Sequence, residues 1–321
     1  MEHKTYLTRA DQTQFSFLSG LKQCFHHEFS HPKTQPEYVL VKEFLQQSDY
    51  EKQVILEILK FLYHFTFATR NQLERMLAHR GITLTSMDKL MDQLLADRCI
   101  NSFYLNQFTS DDSAPDDAYI IHCMDFGAVA ILSHFSASSN ITWFTTDSCR
   151  SSELISKYLS TTEFYLSLLE ARGAAIKYFK PIFDVTYKHL SIRFSAAFAV
   201  THNSTVHTFI LESIRSSDLP LNWMDKVDRK VTPFSVQDKI WSRYFSNSEP
   251  IYLLLTETEE DALSAADIFY RRIGKENFRM ITDEQVVKGL ANAHFLKYVP
   301  NPDFEKLGTL QKVKATVLSG G

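Results

Sequence analysis

EKQVILEILKFLYHFTFATRNQLERMLAHRGITLTSMDKLMDQLLADRCI, residues 51–100, is the stretch on which the fold turns. Its first part places Val54, Ile55, Ile58, Leu59 and Leu62 one helical turn apart, along one face of a helix. Thr69 is positioned to accept the first free N–H groups of a second helix, RNQLERMLAHRG. There Leu73, Met76 and Leu77 form a second apolar stripe and Gly81 supplies a stop. Thr85 or Ser86 opens a third helix, SMDKLMDQLLADR, with Met87, Leu90, Met91, Leu94 and Leu95 inward.

Two strand-like runs follow, CINSFYLNQF and AYIIHCM, separated by the acidic turn TSDDSAPDD. A short closing helix is predicted from Phe126 to Leu132. Three helices and then a hairpin is the plan of a winged helix-turn-helix domain, predicted over 51–135. That plan serves contacts with DNA and with proteins alike.

Residues 1–50 read as a polar, partly helical N-terminal extension, with Phe15, Phe17, Leu18, Leu21, Phe25 and Phe29 at helix-like spacing. The Ser/Thr/Asn-rich run 136–152 reads as a linker. Beyond it, LISKYLSTTEFYLSLLEARG predicts a helix. Three strands are predicted next, AAIKYFKPI, SIRFSAAFAVT and TVHTFILESI, the last two joined by a turn at Asn203-Ser204. A helix over about Ser235 to Phe245, a buried strand IYLLLTE and a helix EEDALSAADIFYRRIG complete the pattern. The second domain is thus an α/β sheet over 153–300, with 301–321 a C-terminal tail.

Composition narrows the chemistry. Glycine is scarce, 9 in 321 residues, and no phosphate-cradling GxGxxG or GxxxxGK[ST] pattern occurs. Cys24, Cys99, Cys123 and Cys149 form no CxxC pair and no zinc spacing, so reduced thiols are expected. No signal-like segment and no run near the roughly 18 apolar residues of a membrane span is present, which predicts a cytoplasmic protein without a membrane partner. The formal net charge is −4, so any DNA contact must come from a local basic patch.

The order helix, three strands, helix, strand, helix resembles the core of the PD-(D/E)xK nuclease-like fold. That likeness implies a restriction-endonuclease-like α/β sheet. An active member carries an Asp on one strand and Glu-x-Lys on the next, holding a divalent metal that offsets charge on the phosphodiester. Here Glu212 stands at the carboxylate position, Ile214 at the Lys position and Ser195 where the strand acid belongs. Asp184 and Glu163 are the nearest substitutes, so a nuclease would have to use Glu212, Asp184 and Glu163 with Mg or Mn. The direct expectation is no catalysis, no metal and no cofactor. His189, His202 and His207 form no triad order with a nucleophile.

The runs FATRNQLERML and MDKLMDQLLADRCI, the strand ending FILES, KIWSRYF and IYLLLTE resemble the replication-relaxation family of plasmids and integrative conjugative elements, over residues 51 to 299. The resemblance implies an accessory protein that binds DNA to assist replication, mobilisation or conjugative transfer. The chain departs from the family in lacking the strand acid and an acidic residue two positions after Glu212. The expected DNA contacts are Arg70, Arg75, Arg80, Thr85, Lys89 and Arg98 in the first domain, and Lys230, Lys239 and Arg243 in the second. The third helix and the hairpin turn are acidic, which opposes groove reading. A positive stripe joining Arg75 to Lys239 is the expected footprint. The alternatives are the nuclease and a protein–protein adaptor without DNA contact. Partners in view are DNA, replication or transfer proteins, and a second copy of the chain.

Overall fold

The computed structural model describes Phe15 and residues 20–29, 37–83, 86–106, 119–135, 141–187, 190–231, 241–245, 249–274, 277–303 and 305–319. Two compact units divide between Thr162 and Glu163.

The first unit runs β1 (Lys22–Phe25), α1 (Glu37–Gln46), α2 (Asp49–Phe65), β2 (Ala68–Thr69), α3 (Arg70–His79), α4 (Met87–Ala96), β3 (Ile100–Asn106), β4 (Ile121–Met124), α5 (Phe126–Phe135) and α6 (Thr145–Ser148). It ends within α7 (Ser152–Arg172). The three helices begin where side chains can satisfy their free N–H groups. Ser48 with Glu51 and Thr69 with Gln72 form reciprocal capping boxes, and Ser86 accepts from the Lys89 N–H. Val54, Ile55, Ile58, Leu59, Leu62, Leu73, Met76, Leu77, Met87, Met91 and Leu94 are buried as expected. Leu90 and Leu95 are only half-buried. Gly81 adopts φ +72°, the left-handed conformation that ends α3.

The strands order as β1-β3-β4-β2, with all pairs antiparallel. Two sequence expectations give way here. The aromatic run around Leu21 to Phe29 is not a helix; Lys22–Phe25 is a strand whose Cys24 lies opposite Tyr104. The open edge of β3 offers a ladder of backbone partners, and that outweighs a local helical period. The expected linker 136–152 carries α6, and its Ser148 is buried with Oγ donating to the Met124 carbonyl at 3.3 Å. The division between units falls later, inside α7.

The second unit contains β5 (Ile176–Tyr187), β6 (Leu190–His202), β7 (Thr205–Ser213), α8 (Leu221–Lys226), β8 (Ile251–Thr256), α9 (Glu259–Ile273), β9 (Phe278–Thr282), α10 (Asp283–Val287), β10 (His294–Val299), β11 (Thr309–Lys314) and α11 (Thr316–Ser319). The strands form one seven-stranded mixed sheet, ordered β11-β10-β9-β8-β7-β6-β5. β5, β6 and β7 make an antiparallel meander, whereas β7, β8 and β9 are parallel. The β6–β7 turn is at Asn203-Ser204, both at positive φ.

Both faces of the sheet are covered. Ile210, Leu254, Met280 and Leu296 pack with Trp223 of α8 and Ala262, Ala266 and Phe269 of α9. Phe209, Leu211, Leu253, Leu255 and Ile281 pack with Phe164 and Leu168 of α7, Val286 of α10 and Leu318 of α11. The expected tail 301–321 is corrected: it holds edge strand β11 and the buried Leu318. Most of the helix expected over Ser235 to Phe245 lies outside the described residues, and Trp241–Arg243 is a single 3-10 turn.

Candidate functional site

In open sheets with parallel strands, ligands commonly sit beyond the carboxyl ends of the strands. Here β7, β8 and β9 end side by side, with Ser213 level with Leu255 and Thr256 level with Thr282. The residues immediately following include Arg215, Glu257 and Asp283. Arg215 is buried and grips Asp283 with two bonds, 2.6 and 3.2 Å, while its Nη2 also donates to the Leu255 carbonyl at 3.2 Å. Glu257 lies 3.9 Å from its Nε. Asp218 accepts from the Arg215 N–H at 3.0 Å and pairs with Lys226. Ser216 donates its N–H to Glu257 at 3.1 Å, and its hydroxyl stands 2.8 Å from Asp261.

Burial opposes the charge on Arg215, but Asp283, Glu257 and Asp218 outweigh it and hold its pKa above the ordinary arginine value. Three carboxylates at this end of the sheet, Asp283, Glu257 and Asp218, are thus turned on one guanidinium. Sequence reading missed this network, since Asp283 is 68 residues from Arg215.

The three carboxylates named for a nuclease do not assemble. Glu212 is buried near the end of β7. Asp184 on β5 accepts from Nε and Nη2 of Arg193, at 2.9 and 3.0 Å. Glu163 is buried on α7. Ser195, at the position of the missing strand acid, accepts the Ser213 N–H at 2.9 Å. Ile214 is buried and its N–H donates to the Leu255 carbonyl at 2.8 Å. Among the described residues no group of three His, Cys, Asp or Glu side chains could hold a metal ion.

Three of the expected DNA contacts of the first unit, Arg70, Arg80 and Arg98, stand beside acids. Arg70, at the start of α3, bonds Glu74 at 2.8 Å and also pairs with Asp88 of α4. Arg80 lies 3.4 Å from Glu57. Arg98 donates to Asp125 at 2.7 Å and to the Glu28 carbonyl at 2.8 Å. Asp125 is fully buried and is also met by His27 at 2.7 Å, so this pair fastens the segment carrying β1 to the hairpin. Burial pulls the His27 pKa down, against the pull of that bond to Asp125. Arg75 is half-buried and already engaged, while Lys89 is exposed on the first turn of α4. Thr85 and the wing turn TSDDSAPDD lie outside the described residues.

In the second unit Arg243 is exposed. Lys239 and the side chain of Lys230 lie outside the described residues, and with them the stripe expected from Arg75 to Lys239. Neighbouring bases are matched by acids: Arg229 with Asp225 at 3.7 Å, Arg272 with Asp228 at 3.6 Å and Arg271 with Asp267 at 2.6 Å. Among the described residues no helix is long and apolar enough to cross a membrane.

No family model matches the chain, and no curated protein matches it. Two solved structures show loose likeness. Restriction endonuclease FokI matches with a TM-score of 0.30 and 10% identity, over 74% of this chain and 43% of that one. Protein VC1899 from Vibrio cholerae matches with a TM-score of 0.26 and 8% identity, over 83% of this chain and 56% of that one. The chain spans about half the length of these structures. Likenesses this loose decide neither fold nor activity.

Proposed function

We propose that the chain is a non-catalytic DNA-binding accessory protein, with a winged helix-turn-helix in its first unit and a restriction-endonuclease-like sheet in its second. The observation that carries this reading is strand β2. This two-residue strand between α2 and α3 pairs with β4, Ala68 opposite His122 and Thr69 opposite Ile121. It ties the helix pair α3–α4 to the hairpin as one body, the arrangement that presents a recognition helix beside a wing. The meander β5–β6–β7 followed by parallel β8 supports the nuclease-like sheet. The ion-paired end of that sheet supports a role without metal chemistry. The resemblance to the replication-relaxation family supplies the setting, a mobile element that replicates or transfers DNA.

The test uses the full chain. Fluorescence anisotropy with labelled duplex should show salt-sensitive binding that weakens when Arg75 and Lys89 are replaced by Ala. Supercoiled plasmid with Mg or Mn should stay intact. Cleavage that disappears in Glu212→Ala would instead establish the nuclease. The absence of binding to any duplex at low salt would leave the adaptor reading, which the acid partners of Arg70, Arg80 and Arg98 favour.

A further inference from the structure

We infer that the outer edge of the second unit's sheet, strand β5 with the 3-10 turn Trp241–Arg243 beside it, holds single-stranded DNA. The inference rests on the reading of the chain as DNA-binding and adds the form of DNA that this unit takes. Residues 172–211 hold five bases, Arg172, Lys177, Lys180, Lys188 and Arg193, against one acid, Asp184, in a chain of net charge −4. Phosphate binding needs a local excess of this kind. Asp184 is itself held by Arg193. Lys177, Lys180 and Arg243 are exposed, and none has an ion-pair partner among the described residues.

The strand aims these groups outward. β5 is the last strand of the sheet, with β6 as its neighbour. The register slips between Ile176 and Tyr178, which leaves Lys177 as the extra residue of a bulge. Tyr178 and Lys180, two apart, share one side of the strand. Tyr178 is 38% exposed, and the Lys180 ammonium stands 5.6 Å from the centre of the Phe183 ring. The same ring lies 5.6 Å from that of Tyr244 and 5.7 Å from that of Phe245, and the Tyr244 hydroxyl accepts the Thr186 N–H at 3.0 Å. This packing brings Arg243 to the same strand. The lysines and Pro181 make the edge a poor template for a strand of another protein. A ring between two ammonium groups suits a polyanion with open bases: the lysines meet phosphates and the ring stacks on a base. In a duplex the bases already stack on one another and offer the Tyr178 ring no face. Burial pushes the Tyr178 pKa up to about 12, so its phenol stays neutral beside phosphate.

Fluorescence anisotropy with the full chain tests it, using a labelled single strand of about 16 nucleotides and the duplex of the same sequence. The wild type should bind the single strand. Lys177→Ala with Lys180→Ala should weaken that binding about tenfold and flatten its salt slope by about 1.4, at ~0.7 per phosphate. Tyr178→Ala should weaken it at least about fivefold, whereas Tyr178→Phe keeps the ring and should bind as the wild type does. Each variant should leave duplex binding within about twofold of the wild type. A wild type that binds duplex and not single strand overturns the inference and leaves the DNA-binding reading in place, whereas one that binds neither overturns both. Equal loss for the two forms in the lysine variant overturns it too. So does intact single-strand binding with new self-association, which would make the lysines guards of the sheet edge. If Tyr178→Ala loses its circular dichroism signal, the lysine pair at exposed positions and Tyr178→Phe decide.

Discussion

Arg215 shows how much a single side chain settles at the end of this sheet. Its guanidinium is buried between Asp283 and Glu257. Replacement by Met would take the guanidinium away from two buried carboxylates, which costs about 3–5 kcal/mol. Urea unfolding should show that loss as a lower midpoint at unchanged slope, and an unchanged midpoint would mean the network relaxes into water. Asp97 argues in the opposite direction. Burial first, and then the nearby Glu43, push its pKa up, so ionising it disfavours the folded state. For an acid raised in this way, stability is fully present below the unfolded pKa and is lost as pH rises through the folded pKa. Asp97→Asn keeps an acceptor for Gln93 and removes the charge. It should melt higher than the wild type at neutral pH, with the gap closing in acid. Neither residue was legible in the sequence, because the partners of Arg215 follow two other strands, Glu257 after β8 and Asp283 after β9.

Elements were more legible than sites, and for a definite reason. α2, α3 and α4 carry their own caps and stripes, so local sequence specifies their start, face and end. Thr69 is the clearest instance: its Oγ1 accepts the Gln72 N–H at 3.2 Å, and the Gln72 side chain accepts the Thr69 N–H in return at 3.1 Å. Thr69→Ala should destabilise the first unit by about 1–2 kcal/mol, read by thermal or urea melting. A variant as stable as wild type would show that β2 alone sets the start of α3. The strands β1, β9, β10 and β11 escaped notice because they are short and their period is weak. KQCF exists as a strand because β3 has an open edge. TLQKVK is almost wholly exposed, and its pairing with β10 is the reason it is extended. Long-range pairing of this kind leaves no local signature.

At the scale of the whole molecule, the proposed DNA binding sets a net charge of −4 against a polyanion. Affinity for duplex falls with salt as about −0.9 per phosphate neutralised. Of the bases expected on the first unit, Arg70, Arg80 and Arg98 already have carboxylate partners, and a base that keeps its acid releases no counterion. With Arg75, Lys89 and the exposed Arg243 as the contacts, the slope of log affinity against log salt should be shallow, about −2 to −3, where a protein with six to ten phosphate contacts gives about −5 to −9. Asp88→Asn is the lever on that number. It removes one of the two acids holding Arg70 while leaving Glu74 in place. Because exposed pairs contribute about 0.2–1 kcal/mol, affinity should rise by about 1.4-fold to fivefold, and the slope should steepen by up to about one unit. Steep salt dependence in the wild type, unaltered by Asp88→Asn, would move the DNA contact away from α3 and α4. A shallow slope that steepens on that substitution would mean the acids on α3 and α4 set how tightly the first unit holds DNA.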